Sequence, residues 1–258
     1  MLNYLIMKPF SLIFFIGLIL TAVFAVCFIR KYRNKSYEQK RKTIIVMYSI
    51  VFIMFMLYKY MLSIDPEYAA MRTNRGLSGF NWFAELPLNL CNLNIILMAL
   101  GMALESRALL GFCFFAGSLG ALFPLLMPPA EFTGFSILLP RMLGYYLTHY
   151  AVLIETPLLA GLDLYRPKYS DIGKVLLSIV TASAIAAIIN LIGIKTGIAP
   201  GCNYFYTVYP SGISFLEFLY KLIPVTWFYL LPTLIIIVPY MFALTYCFNI
   251  KRKNNKDE

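Results

Sequence analysis

The sequence predicts an all-α, polytopic membrane protein of seven transmembrane helices, with the amino terminus outside and the carboxyl terminus inside. Three observations carry that expectation. Of 258 residues, 60% are hydrophobic and 13% charged, a balance that ordinary soluble domains do not reach. Apolar windows of about 20 residues, enough to span ~30 Å of hydrocarbon at ~1.5 Å per residue, can be placed seven times. Finally, 15 of the 22 basic residues lie in alternate short segments, at 30–42, 107, 166–174 and 251–256, which places those segments inside.

The first window is 10–29. It differs from a cleaved leader because only Lys8 precedes it, whereas Arg30, Lys31, Arg33, Lys35, Lys40, Arg41 and Lys42 follow. The second window is 43–63 and the third 86–104. Only "ESR", residues 105–107, separates the third from the fourth at 108–127, so the two read as a tight antiparallel hairpin. The fifth covers 142–162, the sixth 174–193 and the seventh 223–248. Segments 64–85, 128–141 and 194–222 are longer, rich in Pro, Gly and aromatics, and fall together on the outer side. The first of them mixes Arg72 and Arg75 with Trp82 and Phe83, in the manner of a lid touching head groups, although an ordinary loop fits the same residues. Residues 1–250 thus read as one helical domain and 251–258 as a solvated cytoplasmic tail.

The net charge of +10 orients the chain rather than marking a nucleic-acid surface, because it sits between apolar stretches. Five cysteines are scattered without a CxxC or His-paired spacing, so neither a disulfide framework, a metal site nor another cofactor is indicated. The expected partners are membrane lipids. Short, Lys- and Asn-bearing loops without an organelle signal fit a bacterial plasma membrane, and the oligomeric state is not legible.

Polar residues at membrane depth are costly, so each one asks for a reason. Cys91, six residues after Glu85, falls ~9 Å below the outer end of a third helix starting there. His149, the single histidine, falls ~12 Å below the outer end of the fifth, eight residues after Arg141. Asn190 sits near the outer end of the sixth, and Asn203 and Tyr204 lie in the loop after it. A thiol beside an imidazole is a nucleophilic pair able to carry an acyl group as a thioester. Asn92, Asn94, Asn190, Asn203 and Tyr204 are the supporting or oxyanion candidates. Among the asparagines around Cys91, Asn94 shares its helix face and Asn89 does not. Glu155 is an intramembrane acid followed by Thr156 and Pro157, a proline that breaks the helical ladder. Cys27, Cys113 and Cys247 read as inert apolar residues.

At "ELPLNLCNLNIILMALGM", "FFAGSLGALFPLLMPP", "LTHYAVLIETPLL" and "GCNYFY" the chain resembles the YwaF-like family of bacterial integral membrane proteins and, more remotely, the eukaryotic transmembrane protein 164 acyltransferases. The resemblance covers about residues 40–250. It implies a seven-helix membrane fold and, for the eukaryotic relatives, phospholipid acyl transfer through a cysteine thioester assisted by a histidine. Carried over, the cysteine of "LPLNLC" is Cys91 and the histidine of "LTHY" is His149. The family commonly reads "LPLHLC", and this chain has Asn89 in place of that histidine.

Three readings stand side by side. One is a membrane-embedded Cys/His acyltransferase or lipid hydrolase acting on lipid acyl esters near the outer face. Another is a small-solute transporter or channel using Glu155, and the third a non-catalytic membrane protein. A polar layer near one face suits ester chemistry, and a polar file through the bilayer suits transport.

Overall fold

The computed structural model describes residues 5–73 and 79–254, the last five as backbone alone. Arg75 and the end of the expected tail, 255–258, lie outside the described residues. The protein is mostly helical, with 75% of residues in helix. Five helical stretches among the described residues are long and apolar enough to cross a membrane: Leu12–Tyr32, Tyr37–Ser63, Arg107–Leu126, Tyr169–Lys195 and Phe228–Asn249. The chain divides into two compact units, residues 1–80 with 90–165, and 81–89 with 166–258.

The first unit runs β1 (Ile6–Met7), α1 (Leu12–Tyr32), α2 (Tyr37–Ser63), α3 (Pro66–Thr73), α4 (Leu90–Ala103), α5 (Arg107–Leu126), β2 (Phe135–Ser136), α6 (Pro140–Leu153) and α7 (Glu155–Gly161). Its helices begin where side chains can satisfy the orphan N–H groups of a first turn. Ser11 accepts from Phe14 at the start of α1, and Ser36 and Gln39 form a reciprocal capping box at the start of α2. Ser106 caps α5, and the turn before it is closed by Glu105 in the left-handed region at φ 50°. That turn joins α4 to α5 as the three-residue spacing requires. The far end of α4 is held by Arg41, whose guanidinium donates to the carbonyls of Met102 and Ala103 at 2.8 Å each.

Two of the expected helices take a different form. The third was expected from residue 86, but α4 starts at Leu90. Trp82–Glu85 form a 3₁₀ turn capped by Asn81, and Leu88 N–H bonds the carbonyl of Leu86 at 2.7 Å. Pro87 explains the delay, since it biases Leu86 away from helix and brings no N–H of its own. Cys91 is therefore the second helical residue, not one held two turns inside. The span expected over 142–162 is two helices joined at Ile154 (φ −83°, ψ −4°). Pro157 lies three residues on, where its ring crowds the carbonyl of Leu153.

α2, α4, α5 and α6 pack on one another to form the interior of this unit, with Ile95, Met98, Phe114 and Met142 fully buried. Gly144 on α6 admits the ring of Tyr58 from α2, which a Cβ would overlap. At one edge the two short strands pair antiparallel, Ile6 with Ser136 and Met7 with Phe135. Backbone bonds Gly134 N–H to Met7 O (2.8 Å) and Ile137 N–H to Leu5 O (2.9 Å) extend that pairing, which ends four residues before α6. Arg141, in the first turn of α6 and 2% exposed, reaches Asp65 at 3.0 Å and Glu67 at 2.8 Å, and lies 4.5 Å from the ring centroid of Phe135.

The second unit holds residues 81–89, α8 (Tyr169–Lys195), α9 (Ser214–Leu222) and α10 (Leu234–Asn254). Asp171 accepts from the N–H of Lys168 to start α8, and Gly197 at φ 71° follows its end. The small core of this unit gathers Ala186, Ala199, Cys202 and Tyr204, with Phe83 and Leu88 against them. The seventh expected span begins as a 3₁₀ segment, Phe228–Thr233, and continues as α10 through Asn254.

Candidate active site

Cys91 and His149 fall in the same unit, on α4 and α6, and are 8% and 5% exposed. Because α4 begins at Leu90, the thiol lies in a first turn, where backbone N–H groups have no helical acceptor. The thiol donates to the side-chain oxygen of Asn92 at 3.5 Å. Gly120 of α5 keeps the approach open, since a Cβ there would lie 3.2 Å from Leu90 Cγ and 3.5 Å from the backbone nitrogen of Cys91.

Tyr145 orients His149. The imidazole Nδ1 lies 2.7 Å from the Tyr145 carbonyl oxygen, which can only accept, so Nδ1 carries the proton and Nε2 is the basic nitrogen. The phenol ring of Tyr145 sits 4.3 Å from the imidazole and stacks on Phe132 at 4.4 Å and 7°. Its hydroxyl donates to the Pro124 carbonyl at 2.9 Å. One tyrosine thus fixes the histidine's tautomer, its plane and its distance from α5. Among the described hydrogen bonds, none joins Cys91 to His149 directly.

The other candidates separate into two groups. Asn92 and Asn94 are buried beside Cys91. The Asn94 amide nitrogen donates back to the Leu90 carbonyl at 2.7 Å, while its oxygen is buried with no hydrogen-bond partner among the described residues. Glu155, fully buried at the start of α7, is in the same condition, with neither carboxyl oxygen partnered. Gly117 makes room for it, since a Cβ there would come within 2.6 Å of its Oε2.

Asn190, Asn203 and Tyr204 belong to the second unit, where their polar atoms are in use. Asn190 donates to the Tyr204 carbonyl at 2.9 Å and the Thr207 hydroxyl at 2.8 Å, and accepts from the Cys202 thiol at 3.0 Å and the Tyr204 N–H at 2.9 Å. Asn203 closes its own loop, accepting from Val208 and donating to Tyr209 and Ser211. The Tyr204 hydroxyl donates to the Phe83 carbonyl. Burial pushes the pKa of that hydroxyl up, and burial likewise raises the Cys202 thiol, so both stay protonated as donors. Asn89, at the position of the family histidine, accepts from the N–H of Phe205 at 3.1 Å.

Sequence reasoning passed over Lys59. It is 7% exposed in the first unit, with its ammonium 5.3 Å from the ring centroid of Phe55 and 5.2 Å from that of Tyr58. The available signal was the string "YKY" inside an otherwise apolar run.

No curated protein and no solved structure matches the chain. Its family is nevertheless decided by one match that runs almost from end to end: over residues 4–246 it fits the model of the TMEM164 family, and to that family the chain belongs.

Proposed function

We propose that this protein is a membrane-embedded acyltransferase or lipid hydrolase that carries an acyl chain on Cys91. The observation behind this reading is that one compact unit of a membrane protein holds a buried thiol in the first turn of α4 and a buried, tautomer-fixed histidine on α6, a helix that packs against α4. Nε2 of His149 takes the thiol proton, and the sulfur attacks the carbonyl carbon of a lipid ester. The negative charge passes to the carbonyl oxygen, with the first-turn N–H groups of α4 and the amide of Asn92 as its donors. When the C–O bond breaks, the leaving alkoxide takes the proton back from Nε2, and the acyl chain remains on sulfur. An acceptor hydroxyl then gives its proton to Nε2 and attacks the thioester, and the thiolate leaves and is reprotonated. Apolar walls that exclude water favour transfer over hydrolysis.

The reading includes a seven-span membrane topology, with α4 and the α6–α7 pair as the spans that fall short of a full single helix, the amino terminus outside and the carboxyl terminus inside. The charge bias of the loops supports that orientation. The "LPLNLC" and "LTHY" strings support a place among the YwaF-like bacterial members, in a plasma membrane. Mass spectrometry of the full-length protein incubated with lipid esters tests the chemistry. An acyl adduct on the Cys91 peptide that disappears in Cys91→Ala and falls in His149→Ala supports it, and labelling unchanged in both variants ends it.

The unpartnered Glu155 carboxyl favours a second reading, transport of a proton or small solute. That reading expects proton-linked flux in proteoliposomes that is lost in Glu155→Gln and indifferent to Cys91→Ala. Flux that survives Glu155→Gln removes it.

A further inference from the structure

We infer that Arg141, Asp65 and Glu67 form a head-group site for a zwitterionic membrane phospholipid, with the phosphate on the guanidinium and the ammonium on the carboxylates. The inference rests on the acyl-transfer reading for the use of the site, and on the following placement for its physical content. Arg141 is 2% exposed, and its two ion pairs engage one nitrogen alone: Nη1 lies 3.0 Å from Asp65 Oδ2 and 2.8 Å from Glu67 Oε2. Nε and Nη2 are buried with no hydrogen-bond partner among the described residues. Those two nitrogens share one edge of the guanidinium, so their N–H groups form the parallel fork that matches two oxygens of a phosphate. The fork is held in place from two sides. The ring of Phe135 lies 4.5 Å from the guanidinium carbon, and Asp65 is itself fixed, because its Oδ1 accepts from the N–H groups of Glu67 (3.0 Å) and Tyr68 (3.1 Å) at the start of α3.

Burying the N–H donors of a cation without acceptors is costly, so a position that keeps them calls for a ligand. Its charge follows from the groups already there. One guanidinium and two carboxylates leave a negative excess, to which an anion alone would add. A phosphodiester joined to an ammonium brings no net charge, fills the fork and gives the second carboxylate a cation of its own. Glu67 marks the way in, since its side chain is 54% exposed against 22% for Asp65. The site is tied to the imidazole twice over. Arg141 and His149 lie on one helix, eight residues and therefore ~12 Å apart along its axis. From Tyr68, next to Glu67, ring contacts run to Phe132 at 5.9 Å, on to Tyr145 at 4.4 Å and to His149 at 4.3 Å. In a phospholipid the ester carbons lie deeper than the phosphate by the glycerol backbone, so a head group seated on Arg141 directs them down α6 toward His149. Arg141 acts here as a positioning residue.

Lipid retention tests this without any acyl transfer. The full-length protein in detergent is incubated with three lipids of identical acyl chains: phosphatidylethanolamine, which has the phosphate and the ammonium, phosphatidylglycerol, which has the phosphate alone, and diacylglycerol, which has neither. Bound lipid is counted by native mass spectrometry in wild type, Arg141→Lys and Glu67→Gln. Wild type should retain phosphatidylethanolamine best and diacylglycerol least. Arg141→Lys keeps a cation beside the carboxylates but has no fork, and should weaken phosphatidylethanolamine retention by about tenfold, the worth of a charge-assisted contact, with diacylglycerol unchanged. Glu67→Gln should erase the preference for phosphatidylethanolamine over phosphatidylglycerol. Wild type that retains the three lipids alike overturns the inference, as does phosphatidylethanolamine retention unchanged in Arg141→Lys. A loss shared equally by all three lipids also overturns it, because that marks a strut between α3 and α6. Should Arg141→Lys fail to fold, Glu67→Gln decides, and a head-group preference unchanged there overturns the site. Displacement of the lipid by an equal concentration of soluble phosphoethanolamine assigns the fork to a free phosphate and overturns the lipid. If the head group binds as expected but no acyl adduct forms on Cys91 from any lipid ester, the acyl-transfer reading falls and the head-group site stands.

Discussion

Two buried polar clusters, one in each unit, spend their hydrogen-bonding capacity in opposite ways. Around Asn190 in the second unit, both amide groups are matched twice, with Tyr204, Thr207 and Cys202 as partners. Around Cys91 in the first, the Asn94 oxygen and both Glu155 oxygens are buried with no hydrogen-bond partner among the described residues. A satisfied network fixes one conformation of a loop. Orphaned groups lower stability by ~1–3 kcal/mol each and persist where something other than stability keeps them. The second cluster has the character of a scaffold, and the proposed chemistry is assigned to the first, although both use the same residue types.

The largest expected effect separates these roles directly. Cys91→Ala should remove the acyl adduct completely, and His149→Ala should slow its formation by roughly 10²- to 10⁴-fold, the usual worth of a positioned base. Both variants should leave the thermal unfolding of the protein close to wild type. Asn190→Leu should do the reverse. Stranding the backbone of Tyr204 and the thiol of Cys202 should cost about 3 kcal/mol, seen as a lower unfolding temperature and as alkylation of a Cys202 that is protected in wild type. Should Asn190→Leu abolish the adduct without destabilising the loop, the division into scaffold and chemistry is wrong.

Smaller effects sharpen the contrast. Gly144→Ala drives a Cβ into the Tyr58 ring and should cost about 1–3 kcal/mol by prising α2 from α6. It should also slow the acyl adduct, because His149 lies on the displaced helix α6. Asn94→Leu is expected to change stability least, by no more than about 1 kcal/mol in either direction, because it removes an unsatisfied oxygen along with one local hydrogen bond. An Asn94→Leu protein as unstable as Asn190→Leu would erase the comparison.

Much of this architecture was legible in the chain. Hydropathy marked where the long apolar helices run, since apolar length is set by bilayer thickness and needs no knowledge of neighbours. The break before Glu155 was legible too, because Pro157 acts locally on its own ladder. The start of α4 was not, since a window of apolar residues cannot distinguish helix from the turn that Pro87 and Asn81 build ahead of it. Cys91 and His149 were singled out by type, depth and resemblance. The employment of Asn190 and Asn203 was hidden, because it depends on which backbone groups a loop of the second unit brings back to them. Lys59 was hidden for a related reason: a lysine four residues from a helix end reads as snorkelling to the interface, and only the packing of α2 between two neighbours turns it inward.

The two-residue pairing of Ile6–Met7 with Phe135–Ser136 has a practical bearing on every experiment above. It fastens Ile6 and Met7 to the segment just before the histidine-bearing helix, so residues far from His149 in sequence brace that helix. Trimming the chain through Met7 would unfasten that brace and should slow the proposed acyl adduct while leaving Cys91 and His149 untouched, and affinity handles are better carried at the opposite terminus.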